Sequence, residues 1–191
     1  MPWFTPLLDA LNLRRALASR DPGTETLRRE VEAALQSENA SLAGALIARI
    51  DERGDRDEWE LETERLTGLV EGADALKRLD TEGLPVVVSQ HKAIGADTCH
   101  FTVPATLVVG GDEQPGRVFV TAERVIFSGG RGASLRWSEV AGADVELRTL
   151  LLARAAGSVH RIRCNTCGQA RVLQVFCRRL MCARPRWAVD Q

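Results

Sequence analysis

Two cysteines in the run Cys164-Asn165-Thr166-Cys167-Gly168 have the spacing of a zinc knuckle, in which a tight turn closed by glycine lets two thiolates face one metal. A structural zinc needs two more ligands, from His91, Cys99 and His100 or from Cys177 and Cys182. The second pair stands five residues apart and does not share a helix face well. Cys164, Cys167, Cys99 and His91 are therefore the candidate metal site, with zinc the candidate cofactor. The same residues carry a plainer reading that needs no cofactor. Thr166-x-x-Gln169 is a capping box that would open a helix, and Cys164 would alternate inward with Ile162 as a small apolar residue. A thiol-redox role is a third reading, since a helix N-terminus favours the thiolate of Cys167. The βαβ pattern of a thioredoxin-like site is missing.

Ser89, His91, Asp97, Cys99 and His100 bring a nucleophile, an imidazole and a carboxylate within a dozen residues. No Gly-x-Ser-x-Gly elbow accompanies them, and strand alternation would send Cys99 and His100 to opposite faces. They read as hydrogen-bonding residues of a hairpin. Gly129-Gly130-Arg131-Gly132 lies between strand-like runs and opens no helix, so it is not a phosphate-binding loop. The chain is expected to be non-enzymatic.

Charge supplies the other candidate site. Residues 1–83 hold 11 basic and 18 acidic side chains, whereas residues 84–191 hold 14 and 8. From Leu147 to Val189 there are nine arginines and no carboxylate. Arg161 and Arg163 would share a strand face, and Arg171, Arg178, Arg179, Arg184 and Arg186 would follow along a terminal helix and tail, with Trp187 beside the last two. Such a face suits an anionic membrane surface or an acidic protein partner. The acidic half of the same chain is the alternative occupant. Arginine outnumbers lysine 23 to 2 throughout, a bias that resembles the genome composition of a GC-rich bacterium. Arginine alone is thus poor evidence of recognition, and no specific nucleic-acid reading follows.

The elements that would position these residues fall into two classes. The chain has 191 residues, 45% of them apolar and 27% charged, enough for one or two soluble domains. Asp9, Asn12, Arg14 and Arg15 interrupt the first apolar residues, so no secretory leader is expected. No run approaches the roughly 18 apolar residues of a membrane span. Five cysteines, an odd number, argue for a reducing compartment, hence the cytoplasm. Apolar residues recur at helical spacing over the first eighty positions: Phe4, Leu7, Leu8 and Leu11; Leu27, Val31, Ala34 and Leu35 after the cap Asp21-Pro22; Leu42, Leu46 and Ile50; then Trp59, Leu66, Leu69, Val70, Ala73 and Leu76. A helical bundle over 1–83 is expected.

At Glu82-Gly83-Leu84-Pro85 the pattern turns to β-branched runs. Strands are expected over Val86 to Ile94, Cys99 to Val109, Arg117 to Phe127, Ser134 to Leu147, Thr149 to Ala155 and Val159 to Cys164, separated by glycine-rich breakers. A final helix from Cys167 to Cys182 would place Ala170, Leu173, Phe176, Cys177 and Leu180 on one stripe. The domains so drawn are 1–83, 84–183 and a basic tail over 184–191.

Gly116-Arg117-Val118-Phe119-Val120-Thr121-Ala122-Glu123-Arg124-Val125-Ile126-Phe127 resembles the signature of GRAM and bacterial pleckstrin-homology-like domains, and Leu135-Arg136-Trp137-Ser138-Glu139-Val140 resembles their strand that runs into a short turn. Val118 and Val120 would point inward, Thr121 to Arg124 would turn the chain, and Val125 and Phe127 would re-enter the core. The resemblance covers about 100 residues and none of the helical half. It implies an α+β fold: a helical bundle followed by a small antiparallel β-barrel capped by one helix. It also implies a binding or adaptor module for a protein or an anionic lipid.

Overall fold

The computed structural model describes residues 22–54 and 56–182. The expected first helical stripe, Phe4 to Leu11, lies outside them. Pro22–Gln36 forms α1 and Ala40–Arg53 forms α2; a 3-10 turn over Arg56–Trp59 leads into the 23-residue α3, Glu60–Glu82. Asn39 caps α2, its side chain accepting the Leu42 N–H at 3.0 Å. Leu27, Val31, Ala34 and Leu35 of α1 bury together with Leu46 and Ile50 of α2 and with Trp59, Leu66 and Leu69, as their 3.6-residue spacing requires.

Seven antiparallel strands follow: β1 Cys99–Val109, β2 Asp112–Thr121, β3 Arg124–Ser128, β4 Ala133–Arg136, β5 Val140–Glu146, β6 Thr149–Arg154 and β7 Val159–Cys164. Their order in the sheet is β4-β3-β2-β1-β7-β6-β5. Two meanders are thus joined by pairing of β1 with β7, Thr106 opposite Arg163 and Val108 opposite Arg161. The sheet curls so that every strand contributes to one core. Val103, Ala105, Leu107, Val118, Val120, Val125, Phe127, Leu135, Ala143, Leu150, Leu152, Ile162 and Cys164 all face it. Helix α4, Cys167–Cys182, closes that core with Ala170, Leu173, Phe176, Cys177 and Leu180, and Phe176 stacks on Phe101 at 4.8 Å. This is the α+β, pleckstrin-homology-like architecture.

Three expectations about the elements are corrected. Val86 to Ile94 is not a strand. Only the Val87 N–H bonds to β1, at Cys99 O, while Val86 and Val88 stand 69% and 91% exposed. The β-branched run reads as a strand by composition, but Pro85 lacks an N–H to donate, and the chain turns at residues 92–96. Ser134 to Leu147 is two strands, split by the 3-10 turn Trp137–Glu139 whose indole Nε1–H bonds to Thr121 O at 2.9 Å. On α3, Ala73 and Leu76 are exposed. The buried stripe of its second half is Gly68, Gly72, Ala75 and Leu79.

That stripe is where the helical half meets the sheet domain. It packs on α4 so closely that a Cβ on Gly68 would stand 3.0 Å from the carbonyl carbon of Cys167, and one on Gly72 would stand 3.3 Å from Cβ of Arg171. Large apolar side chains there would hold the helices apart. Farther along α3, Leu79 enters the core of the sheet domain. Replacement Gly68→Leu is expected to destabilise the protein by about 1–3 kcal/mol through overpacking, whereas Ala73→Leu on the exposed side should change stability by no more than about 0.5 kcal/mol. Urea denaturation of the two variants measures the difference.

Candidate functional site

Thr166 caps α4 as expected, while the returning bond of the capping box goes to Asn165, one residue before the cap. The Gln169 N–H donates to Thr166 Oγ1 at 3.1 Å, and Gln169 Oε1 accepts the Asn165 N–H at 3.1 Å. It starts α4 with a free backbone N–H at Cys167, which a side chain from the other half of the molecule takes up. Glu64 of α3 accepts that N–H at 2.9 Å. The same carboxylate accepts Arg148 Nε at 2.8 Å and also pairs with Arg148 Nη2. Arg148 sits in the two-residue turn between β5 and β6. There Leu147 adopts φ +53°, a left-handed conformation that a non-glycine residue takes at a cost on the order of 1–2 kcal/mol. Hydrogen bonding from Arg148 and Cys167 holds the Glu64 carboxyl below the usual carboxylate range, against the opposing effect of burial.

This arrangement decides the chemistry of the cysteines. The expectation that a helix N-terminus would favour the Cys167 thiolate is overturned, because Glu64 already occupies the anion position there. Burial and the Glu64 charge push the Cys167 thiol up to about 11, and burial pushes Cys164 up to about 12. Cys177 is driven up further and Cys99 is raised, both chiefly by burial. All are protonated near neutrality and none is bridged.

The metal site proposed from spacing, Cys164, Cys167, Cys99 and His91, does not assemble. Cys164 faces the inner core. Cys99 lies in a separate cluster on the outer face, with Ile94, Phe119 and Ile126, because a bulge at His100 switches the faces of β1. His91 packs against Phe119 in that outer layer, the two rings tilted by 34°. Among the described residues no three metal-ligating side chains converge. The imagined hydrolase cluster is likewise held by local bonds: Asp97 Oδ2 accepts Thr121 Oγ1 at 2.5 Å, His100 Nδ1 lies 2.7 Å from Pro85 O, and Ser89 Oγ faces the His91 N–H at 3.4 Å.

The basic tract divides into paired and open arginines. Arg171 pairs with Glu38 at 2.7 Å and Arg179 with Asp80 at 3.2 Å. With Arg148–Glu64, these are three contacts between the arginine-rich stretch and the acidic half. Arg163 pairs with Glu113 and Arg178 with Asp144 inside the sheet domain. Arg178 Nε and Gln174 Nε2 also donate to Ala143 O, covering part of the free edge of β5. Arg184 and Arg186 lie outside the described residues. Arg161 is the member of the predicted face that is exposed and, among the described residues, has no carboxylate partner.

Arg161 lines a cleft of about 550 Å³ between two hairpin tips, with Val108 to Gly111 on one wall and Arg154 and Ser158 to His160 on the other. Val109 and Val159 are each half exposed there. Burial and then Arg154 lower the pKa of His160, keeping its ring neutral. Arg154 gives one guanidinium nitrogen to Glu139 at 3.2 Å, and its Nε is buried without a partner. An open arginine, exposed apolar tips and few carboxylates make a surface able to hold an anionic group beside apolar matter. Sequence reading found Arg161 but missed the valines, which looked like ordinary strand residues, and missed Glu64, one of many acids on α3.

No protein-family model matches this sequence, and no curated protein matches it. Among solved structures, the linker and DH/PH domains of p115-RhoGEF are similar at 12% identity and a TM-score of 0.42, over 92% of this chain and 67% of that one. A Vav1 exchange-factor structure with PH and C1 domains is similar at 9% identity and a TM-score of 0.39, over 75% of this chain and 44% of that one. The C-terminal domain of an unknown protein from Leishmania infantum is similar at 11% identity and a TM-score of 0.40, over 47% of this chain and 90% of that one. The architecture assigned above rests on the strand order and the terminal helix of this chain.

Because the Glu64 carboxyl is held below its ordinary range, the stability it contributes is present above the unfolded carboxyl pKa of roughly 4.3 and is lost as pH falls through the depressed folded value. Thermal melts of Glu64→Gln against pH should show a shallower loss of stability on the acid side than the parent, together with a lower Tm at neutral pH. Thiol labelling of the native protein at neutral pH is expected to modify the exposed Cys182 and to leave Cys99, Cys164, Cys167 and Cys177 unmodified until denaturant is added, as peptide mass spectrometry would show.

Proposed function

We propose that this chain is a non-catalytic recognition module of the pleckstrin-homology-like, GRAM type. It acts in the cytoplasm and reads an anionic membrane surface through the cleft between the β1–β2 and β6–β7 hairpins. The observation that carries the reading is the open Arg161 between the exposed Val109 and Val159 at that cleft. Two apolar tips flanking a cation suit the headgroup region of a bilayer, where apolar side chains enter and a guanidinium meets phosphate. Arg148, Arg171 and Arg179 tie the acidic helices to the sheet domain, and Arg163 and Arg178 satisfy carboxylates within it. In this reading the helical half is a buttress that fixes α4 and leaves the hairpin tips free. An acidic protein surface is the competing partner, recognised by the same charge without use of the valines.

Co-sedimentation with vesicles containing acidic phospholipid, across a salt series, tests the reading. Binding that weakens with salt, and that falls roughly tenfold or more in Arg161→Glu, is expected. The double change Val109→Asp with Val159→Asp should abolish it. Absence of binding to acidic vesicles at the lowest salt would overturn the membrane reading and leave the protein partner.

A further inference from the structure

Residues 84–98 join α3 to β1, and Ile94, Val87 and Ala93 fix them to the sheet by packing with Cys99, Phe119 and Ile126. The first part of this segment lies as an open edge beside β1. The Val87 N–H donates to Cys99 O at 2.8 Å, and exposure alternates from Val86 to Gln90 with the period of two that extended chain imposes. In such pairing the N–H and C=O of one residue point to one side and those of its neighbours to the other. Val87 faces β1, so the backbone groups of Val86 and Val88 face away from it, and among the described residues they have no hydrogen-bond partner. The two residues are 69% and 91% exposed. From Gly83 to His91 there is no Lys, Arg, Asp or Glu, so the charged side chains that blunt most open edges are missing.

We propose that this edge pairs antiparallel with the same edge of a second copy of the chain, about a two-fold axis at Val87. Val86 of each copy then stands opposite Val88 of the other and exchanges both backbone hydrogen bonds with it, while the exposed valines cover one another. Charge selects this arrangement. Glu82 and Lys92 lie five residues to either side of Val87. Both are exposed, and neither has an oppositely charged partner among the described residues. An antiparallel pair brings Glu82 of one copy to the end that carries Lys92 of the other, whereas a parallel pair would set Glu82 against Glu82 and Lys92 against Lys92. This complementarity of the segment to itself singles out a second copy over an unrelated partner. A strand pair of this length buries less than the roughly 1,200 Å² of stable interfaces, so the dimer is weak and depends on concentration.

Sedimentation equilibrium of the full chain from micromolar to millimolar concentration tests this, with amide exchange followed by NMR at both ends of the range. A monomer–dimer equilibrium is expected, and the amides of Val86 and Val88 should be protected at high concentration and exchange freely on dilution. Val86→Lys with Val88→Lys places like charges opposite each other across the axis and should weaken the dimer at least about tenfold. Val86→Glu with Val88→Lys places opposite charges there at the same exposed positions, so it should dimerise at least about tenfold more tightly than the first variant. A chain that is monomeric at every concentration overturns the proposal and leaves the edge to an extended segment of another protein. A dimer that leaves the two amides unprotected, or one weakened equally by both double changes, also overturns it.

Discussion

The crossing of α3 over α4 is the contact on which the rest of the molecule depends. It combines three requirements at one place. Gly68 and Gly72 let the helix backbones approach, Glu64 satisfies the first N–H of α4, and Leu79 places α3 in the core of the sheet domain. A carboxylate at a helix N-terminus is favoured by the orphan N–H groups there and by the helix dipole. Here it is also held by Arg148 from the β5–β6 turn, so one side chain ties together a helix, a helix end and a hairpin. The left-handed backbone at Leu147 is tolerated in that setting, since the turn it forms carries Arg148 to Glu64.

The meeting of the helical half with the sheet domain explains why Cys167 and three arginines, Arg148, Arg171 and Arg179, are not free for outside chemistry. A thiol whose helix end is already occupied by an anion gains nothing from ionising. Part of the charge asymmetry of the chain is met within it: Glu64, Glu38 and Asp80 of the acidic half meet Arg148, Arg171 and Arg179. Partly exposed pairs of this kind each add little stability, but they set which face of the bundle meets the sheet domain. Among the arginines of the described strand and helix face, Arg161 at the hairpin tips is the one outside these pairs.

The two faces of the sheet carry different kinds of structure. The inner face is a continuous apolar core with contributions from every strand and from α4. The outer face is covered near Phe119 and Ile126 by residues 84–98, held through a small apolar cluster, a backbone bond from Val87 to Cys99 and His91.

The sequence by itself determined the local elements. Periodicity and turn chemistry place β1, β7 and α4 at the residues where they occur, because alternation, glycine breakers and a capping box act over a few neighbours. The inward stripe of α4 and the turn over Thr121 to Arg124 were legible for the same reason. Tertiary structure alone decided which faces meet. Apolar spacing marked Ala73 and Leu76 as core, but a glycine stripe fits the partner helix more closely and turned them outward. It decided that Cys164 and Cys99 lie on opposite faces of the sheet, since a single bulge reverses the alternation that spacing assumes. It also decided that Glu64, indistinguishable in sequence from the other acids of α3, sits at the N-terminus of a helix a hundred residues away. Non-local pairing of charge and close packing of backbones depend on three-dimensional approach, and residue type and spacing along one chain do not encode that approach in any short window.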